Sequence, residues 1–361
     1  LPVIGWLRMR GQTTSYGAGF WVRPVLVELL LGAGFAALYW WEIGRYGLLP
    51  DGDLLGPLPA AAVGVLHAEF FAHLLLIALM LVASLIDADE KIIPDGITVP
   101  GTLLGLALAA ICPWTLLPAG VGPPQRGLEI VPLLLTSPIA PPNGLLESPD
   151  VASLLLGLGC WWLWCIALMP RRWYARHGWR RGLGLLAARL RRDVSVRWLL
   201  AMGLLGSAGI AAAWFHGGQH WLGLLTALAG MAAGGGLIWM VRIVGQAVLK
   251  REAMGFGDVT LMAMIGTFLG WQGCLMTFVL ANFVALVLGL LVLITRRQQE
   301  IPYGPFLSLG ALILLVFWAP LWSWALPIFA LGMWLLAVLA LCLPLMAILL
   351  MGLQWIKGLF R

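Results

Sequence analysis

Charge and paired cysteine are what this sequence has least of. Asp, Glu, Lys and Arg together make up 11% of its 361 residues, against 61% hydrophobic residues. That excludes an ordinary water-soluble domain, where about a quarter of the residues are charged, and a highly charged disordered chain. The five cysteines, Cys112, Cys160, Cys165, Cys274 and Cys342, lie in or beside apolar stretches, and none forms a Cys-x-x-Cys pair. They read as small packing residues rather than as a disulfide framework. No inverted repeat relates the two halves, so the usual architectural sign of a secondary transporter is missing. No signal peptide is visible, and the chain opens at Leu1, without methionine, inside a polar loop. The expectation is that a native N-terminus lies upstream.

Apolar runs of 18 or more residues recur along the whole length, and they predict an all-α, polytopic transmembrane helical bundle. Ten membrane segments are expected, at 24–43, 62–86, 97–117, 151–169, 198–215, 221–247, 259–272, 274–295, 304–322 and 326–355. The seventh is short, contains Gly266 and Gly270, and reads as a half-helix. The last is long enough to tilt, or to break near Pro344. Twenty tryptophans suit rings anchored at membrane interfaces. The net charge of +6 marks cytoplasmic loops rather than nucleic-acid binding. Arg8, Arg10 and Arg23 precede the first segment, nine arginines crowd 171–197, Lys250 and Arg251 precede the seventh, Arg296 and Arg297 follow the eighth, and Lys357 and Arg361 close the chain. With all of these inside, ten crossings alternate, and the outside loops 44–61, 118–150 and 216–220 carry only Arg45 and Arg126. The stretch 132–150, rich in Pro, Ser and Asn, reads as an irregular outside loop. His216 and His220 read as a solvated turn.

Carboxylates in or beside apolar segments are costly, so each is a functional candidate. They are Glu28, Glu42, Glu69, Asp87 and Asp258. The second segment ends in "SLIDADEKIIPD" and the seventh follows "MGFGD", so Asp87 and Asp258 are expected at one depth of one membrane face. Two aspartates sharing a water in a low-dielectric site cannot both ionise easily, which is the acid–base arrangement of aspartic proteases. Gly255 and Gly257, without Cβ atoms, leave room for a substrate backbone and permit unusual dihedrals. His67, Glu69 and His73 read as a polar stripe inside the bundle rather than a metal site, and Glu28 as structural. The basic, amphipathic stretch 180–197 reads as an interfacial helix on anionic lipid, with a docking site for a partner as the alternative.

Taken together, "SLIDADEKIIPDGITVP" (84–100) and "MGFGDVTLMAMIGTFLGW" (254–271) resemble the two active-site motifs of the type IV prepilin peptidases. These are bacterial membrane aspartic proteases related to presenilin-like enzymes by a Gly-x-Gly-Asp motif. "IPYGPFLSLGA" (301–311) and "LPVIGWLRMRG" with "RPVLVELL" (within 1–30) resemble two further stretches of the family, in the expected order. The resemblance implies that Asp87 and Asp258 are catalytic, that Pro94, Asp95, Gly255, Gly257, Gly304 and Pro305 belong to the motifs, and that Glu28 stands at the family's glutamate. It also implies the bacterial cytoplasmic (inner) membrane, an active site facing the cytoplasm, and no cofactor for proteolysis. The substrate would be a prepilin or pseudopilin precursor whose leader is cut after a glycine, with pilus or secretion assembly machinery as a possible partner of the basic loop 171–197.

Three departures bear on this. Thr13 and Tyr16 stand where the family's cytoplasmic loop carries one cysteine pair, so its four-cysteine zinc site cannot form, and methylation from S-adenosylmethionine, which accompanies that loop in many members, is left open. Thr260 replaces a lysine, whose charge Lys250 or Lys91 would have to supply. Residues 120–220 are extra, adding two crossings and the basic loop to a domain at 24–361 that follows a loop remnant at 1–23. A transporter using the same carboxylates as ion or proton sites, and a non-catalytic scaffold related to the peptidase, are the alternatives.

Overall fold

The structure is a computed structural model that describes residues 19–50, 58–122, 129–139, 150–169, 193–250, 254–294 and 302–359, and Gly5. The loop remnant with Thr13 and Tyr16, and most of the basic loop at 171–197, lie outside the described residues.

Among the described residues ten α-helices follow one another: α1 (Val22–Tyr39), α2 (Ala60–Glu90), α3 (Asp95–Ile111), α4 (Val151–Ala167), α5 (Val194–His216), α6 (Gly218–Leu249), α7 (Phe256–Ile294), α8 (Gly304–Val316), α9 (Trp318–Phe329) and α10 (Met333–Leu359). Among the described residues, five helical stretches are long and apolar enough to cross a membrane by length and composition: Val22–Gly44, which adds a π-turn to α1, then α2, α5, α6 and Phe256–Leu291 of α7, the last counted across its break at Gly270. The protein is an all-α, multi-pass membrane protein. Many large apolar side chains point outward, among them Leu205, Phe215, Leu341 and Ile348, as helices facing lipid require.

Four expectations are corrected. The seventh and eighth segments are joined in α7 but part at Gly270, two residues before the expected end of the seventh, where a φ of 69° and ψ of 176° are non-helical. The chain doubles back there. Cys274 Sγ lies 3.9 Å from the carbonyl oxygen of Met262, whereas twelve residues of straight helix would separate them by about 18 Å. Phe256–Leu291 is therefore two antiparallel arms. The first, 256–269, is about 21 Å long, short of a hydrocarbon core of about 30 Å, and so is the expected half-helix.

The ninth and tenth segments are also partitioned differently. α8 ends after Val316, α9 leaves it at 96° and runs to Phe329, and Pro344 sits inside α10 without ending it. Finally, part of the loop expected to be irregular is ordered. Strands β1 (Pro118–Val121) and β2 (Ile130–Pro132) pair antiparallel, and the turn after them caps the hairpin tip. Trp271 Nε1 donates to Leu135 O at 2.8 Å, and Gln272 Nε2 donates to Leu134 O and Ser137 O at 2.9 and 3.1 Å. Trp318 and Trp322 donate to Pro118 O and Ala119 O at 2.7 and 2.9 Å. Buried indole and amide N–H groups need such acceptors, and loop carbonyls supply them. His220 is likewise no solvated side chain. It is half-buried, with Nδ1 2.9 Å from Ala110 O.

Packing rests on small residues. A Cβ on Gly230 or Gly266 would run into the other glycine's backbone, so α6 and the first arm of α7 touch main chain to main chain. Close approach of this kind holds helices together where lipid offers no hydrophobic drive. One core cluster joins α2, α7, α8 and α9 through Leu76, Met80, Met264, Phe268, Leu307 and Leu314. A second, built on Trp161, Trp164, Ile210, Trp221 and Leu228, seats α4 and α5 against α6.

Gly270→Ala would place a Cβ in a conformation nearly confined to glycine, and is expected to lower stability by about 1–3 kcal/mol. Gly266→Val is expected to cost more, by separating α6 from α7. Thermal unfolding of the purified protein in detergent checks both, and a Gly270→Ala variant that melts like wild type would contradict the reversal at this residue.

Candidate active site

Asp87 is placed by periodicity. The buried residues of α2 are Ala62, Leu66, Glu69, Ala72, His73, Leu76, Met80, Ala83 and Asp87, a single stripe with helical spacing. Asp87 ends that stripe, so it faces the bundle. Asp89, two residues on, points elsewhere and is exposed, with Arg23 Nη1 donating to its two oxygens at 2.8 and 2.7 Å. Lys91 then closes α2 in the left-handed conformation, its N–H donating to Asp87 O at 2.9 Å. This turn leads into Ile92, Ile93 and Pro94. Pro94 precedes α3, and Asp95 stands exposed in its first turn, where a negative charge suits the helix dipole.

Asp258 comes from the opposite direction, in the first turn of α7. The two aspartates line one cavity of about 430 Å³, walled also by Lys91, Ile93, Gly255, Phe256 and Tyr303. Asp87 is 4% exposed and Asp258 6%. Each carboxylate accepts from one backbone N–H, Asp87 from another motif and Asp258 from its own. The N–H of Gly304 reaches Asp87 Oδ2 at 3.2 Å, and that of Gly255 reaches Asp258 Oδ2 at 3.1 Å. Charge-assisted bonds from backbone N–H hold a carboxylate without adding a titrating group. Pro305 lies in the first turn of α8, where its missing N–H costs nothing.

The glycines divide by role. Neither Gly255 nor Gly257 has positive φ, so unusual dihedrals are not what selects them. A Cβ on Gly257 would meet Ile93 Cβ at 2.7 Å, and one on Gly304 would meet Asp87 Oδ2 at 2.5 Å and Ile93 Cδ1 at 2.8 Å. A Cβ on Gly255 would meet Asp258 Oδ2 at 3.5 Å and Gly257 N at 3.9 Å, both ordinary contacts. Gly257 and Gly304 therefore let three chain segments close on Ile93, while Gly255 faces open space.

Two residues that sequence reasoning missed stand next to the pair. Tyr303 lines the cavity, and its hydroxyl donates to Asn282 Oδ1 at 3.2 Å. Burial, with the Asp258 carboxylate as the second cause, pushes its phenol above the ordinary range, so it stays a neutral donor. Arg242, on α6, places its guanidinium carbon 5.9 Å from the centre of the Phe256 ring, two residues before Asp258. The signal was available, since Arg242 is the one charged residue in α6. Thr260, by contrast, faces an apolar crevice beside Trp164 and Trp239, and its hydroxyl donates to Gly257 O at 3.0 Å.

The remaining candidates lie away from the cavity. His73 Nδ1 pairs with Glu42 Oε1 at 2.9 Å, both fully buried, some fourteen residues or about 21 Å of helix before Asp87. Glu69 lies beside them, buried, with no hydrogen-bond partner on either oxygen. His67 is exposed instead and bonds to Tyr39 and Val63 O, so the three residues are not one stripe. Glu28 is exposed on α1.

With this geometry in view, comparison with known proteins gives a family resemblance over part of the chain. The sequence model of the type IV leader peptidase family matches residues 191–290, the stretch that holds Arg242, both glycines and Asp258. Over that stretch the chain is similar to the type IV leader peptidase family. A prepilin leader peptidase/N-methyltransferase of Pseudomonas aeruginosa is 33% identical over 111 residues, which is 27% of this chain and 38% of that protein. One of Aeromonas salmonicida is 29% identical over 103 residues, 28% and 35% of the two chains. A type 4 prepilin-like proteins leader peptide-processing enzyme of Escherichia coli is 31% identical over 142 residues, 37% and 51%. The chain thus spans between about a third and a half of the length of these curated relatives. No solved structure matches it. The family match begins at 191, so it overlaps the expected extra region 120–220 along α5.

Gly304→Ala is expected to push the Asp87 carboxylate off its N–H donor and to reduce any activity of the site at least tenfold, about the effect of losing one charge-assisted hydrogen bond of 1.5–3 kcal/mol. Gly257→Val is expected to abolish it by separating α7 from Ile93, and Gly257→Ala to act partially. Activity measured on membranes with matched protein levels checks the order; a fully active Gly257→Val variant would contradict it.

Proposed function

We propose that the protein is a membrane aspartic endopeptidase that removes the leader peptide of type IV prepilin-like precursors at the cytoplasmic face of the bacterial inner membrane. The observation that carries the reading is the meeting of Asp87 and Asp258, from two distant motifs, on the wall of one cavity. The curated relatives' names give the substrate class. Arg23, Lys91 and Lys250 gather at the chain ends nearest the cavity, which supports a cytoplasmic opening by the excess of positive charge on that side.

In this reading the ionised member of the pair takes a proton from a water held between them. The protonated member hydrogen-bonds the scissile carbonyl, which becomes tetrahedral as the water oxygen attacks. Collapse of that intermediate sends the proton to the departing amine, and the two carboxyl groups have exchanged roles. The proton belongs to the pair rather than to a fixed member. Proteolysis so described uses no metal or cofactor, because the pair itself holds and moves the proton. A small residue before the cleaved bond, glycine by resemblance, would lie extended across the cavity beside Gly255, where no side chain intervenes. Methylation of the product is not part of the proposal.

Co-expression with a prepilin and gel analysis of leader removal tests this. Asp87→Asn and Asp258→Asn are each expected to abolish cleavage with membrane insertion intact, since the mechanism needs two ionisable groups. Asp89→Asn, whose side chain pairs with Arg23 outside the cavity, is expected to stay within a few-fold of wild type, as loss of an exposed ion pair costs at most about 1 kcal/mol. Wild-type cleavage by Asp87→Asn would sink the assignment.

A further inference from the structure

An arginine in the middle of an apolar helix is expensive, and such residues sit where their charge is used. α6 runs from Gly218 to Leu249 with Arg242 as its one charge. The side chain is not spent at the helix end, where Lys250 already closes the last turn. It turns instead toward α7 and lies over the face of Phe256, two residues before Asp258, with Nη1 sealed from solvent. Phe256 separates it from the cavity. Phe256 and Asp258 are wall residues of the cavity and Arg242 is not.

We propose that Arg242 is a positioning residue for Asp258: docked on Phe256 behind the cavity wall, it supplies the fixed positive charge that keeps one member of the aspartate pair ionised. The inference rests on the peptidase reading for its purpose, but not for its geometry. The charged and titratable groups facing Asp258 are Asp87 from α2, Lys91 at the end of α2, Tyr303 ahead of α8 and Arg242 from α6. Lys91 is exposed at the cavity rim, where water and salt screen it. Tyr303 is neutral. Arg242 is thus the cation least screened from the pair, and its charge persists at any working pH. It also answers the question raised by Thr260. The cation comes from α6, one helix over, rather than from Lys250 or from the position two residues after the aspartate.

The test reads Asp258 directly. A hydrophobic carbodiimide reacts with protonated carboxyl groups in apolar surroundings, and peptide mass spectrometry gives the labelled fraction in full-length protein in detergent. At about pH 8.5, where the protonated fraction is small and scales with the shift, Arg242→Gln is expected to raise labelling of Asp258 about threefold or more, and Arg242→Lys, which keeps a charge, to remain within about twofold of wild type. Phe256→Leu, which removes the aromatic seat, is expected to raise it by a smaller factor, so a Gln variant that fails to fold still leaves a deciding measurement. In the cleavage assay, Arg242→Gln is expected to lower kcat about tenfold or more with KM little changed. Unchanged labelling in folded Arg242→Gln, or in Phe256→Leu where the Gln variant does not fold, would overturn the proposal. Labelling needs no substrate, so a wild-type protein that cleaves no precursor would count against the peptidase reading alone.

Discussion

Ile93 is gripped from two sides by glycine. Gly257, entering α7, and Gly304, entering α8, both approach it more closely than any Cβ would permit. This contact draws the end of α2, the start of α7 and the start of α8 to one point, and the aspartates ride on the first two of those elements. Asp87 is then bonded by the third, through the N–H of Gly304, and Asp258 by its own loop, through the N–H of Gly255. The cavity is a consequence of that closure. Without it the two carboxylates would sit at the mouths of separate helices, each in water and each with ordinary chemistry.

The reversal of α7 at Gly270 matters for a related reason. A half-helix of about 21 Å ends inside the hydrocarbon layer, where its tip would expose backbone groups to lipid. The turn after β2 folds over that tip, and the side chains of Trp271 and Gln272 bond to its carbonyls. The second arm returns beside the first and brings Asn282 to Tyr303, at the level of Asp258. One glycine with positive φ thus shortens a membrane helix and also supplies a neighbour to the cavity wall. The backbone contact between Gly230 and Gly266 locks this hairpin to α6, and the same helix presents Arg242 to Asp258.

The partial family match fits this division of labour. The matched stretch, 191–290, includes α6 and the first arm of α7, which carry Arg242 and Asp258. Asp87 lies outside it, on α2. Around this frame α4 and α5 attach through a tryptophan-rich cluster on the far side of α6, leaving the cavity mouth to α2, α7 and α8.

Much of this was legible in the sequence because a membrane permits so few solutions. Long apolar runs without charge must be helices, so the helical class and most helix positions followed from composition and period. Asp87 and Asp258 stood out because a carboxylate beside such a run is costly, and Asp87 rather than Asp89 continues the 3.6-residue stripe of α2. What the sequence did not determine was how segments break and which side chains meet. The reversal at Gly270 and the 96° bend after α8 depend on packing and on distant hydrogen-bond acceptors, so apolar length alone read those regions as ordinary crossings or placed their ends wrongly. The loop around 130–139 looked irregular because its partners, the N–H groups of Trp271, Gln272 and Thr226's hydroxyl, are far away in sequence. Gly257 read as an opening for substrate, and only the fold shows the isoleucine that fills its empty side. The placement of Arg242 over Phe256, behind the cavity wall, was likewise decided by tertiary structure, since which side chains meet is not written in the order of residues.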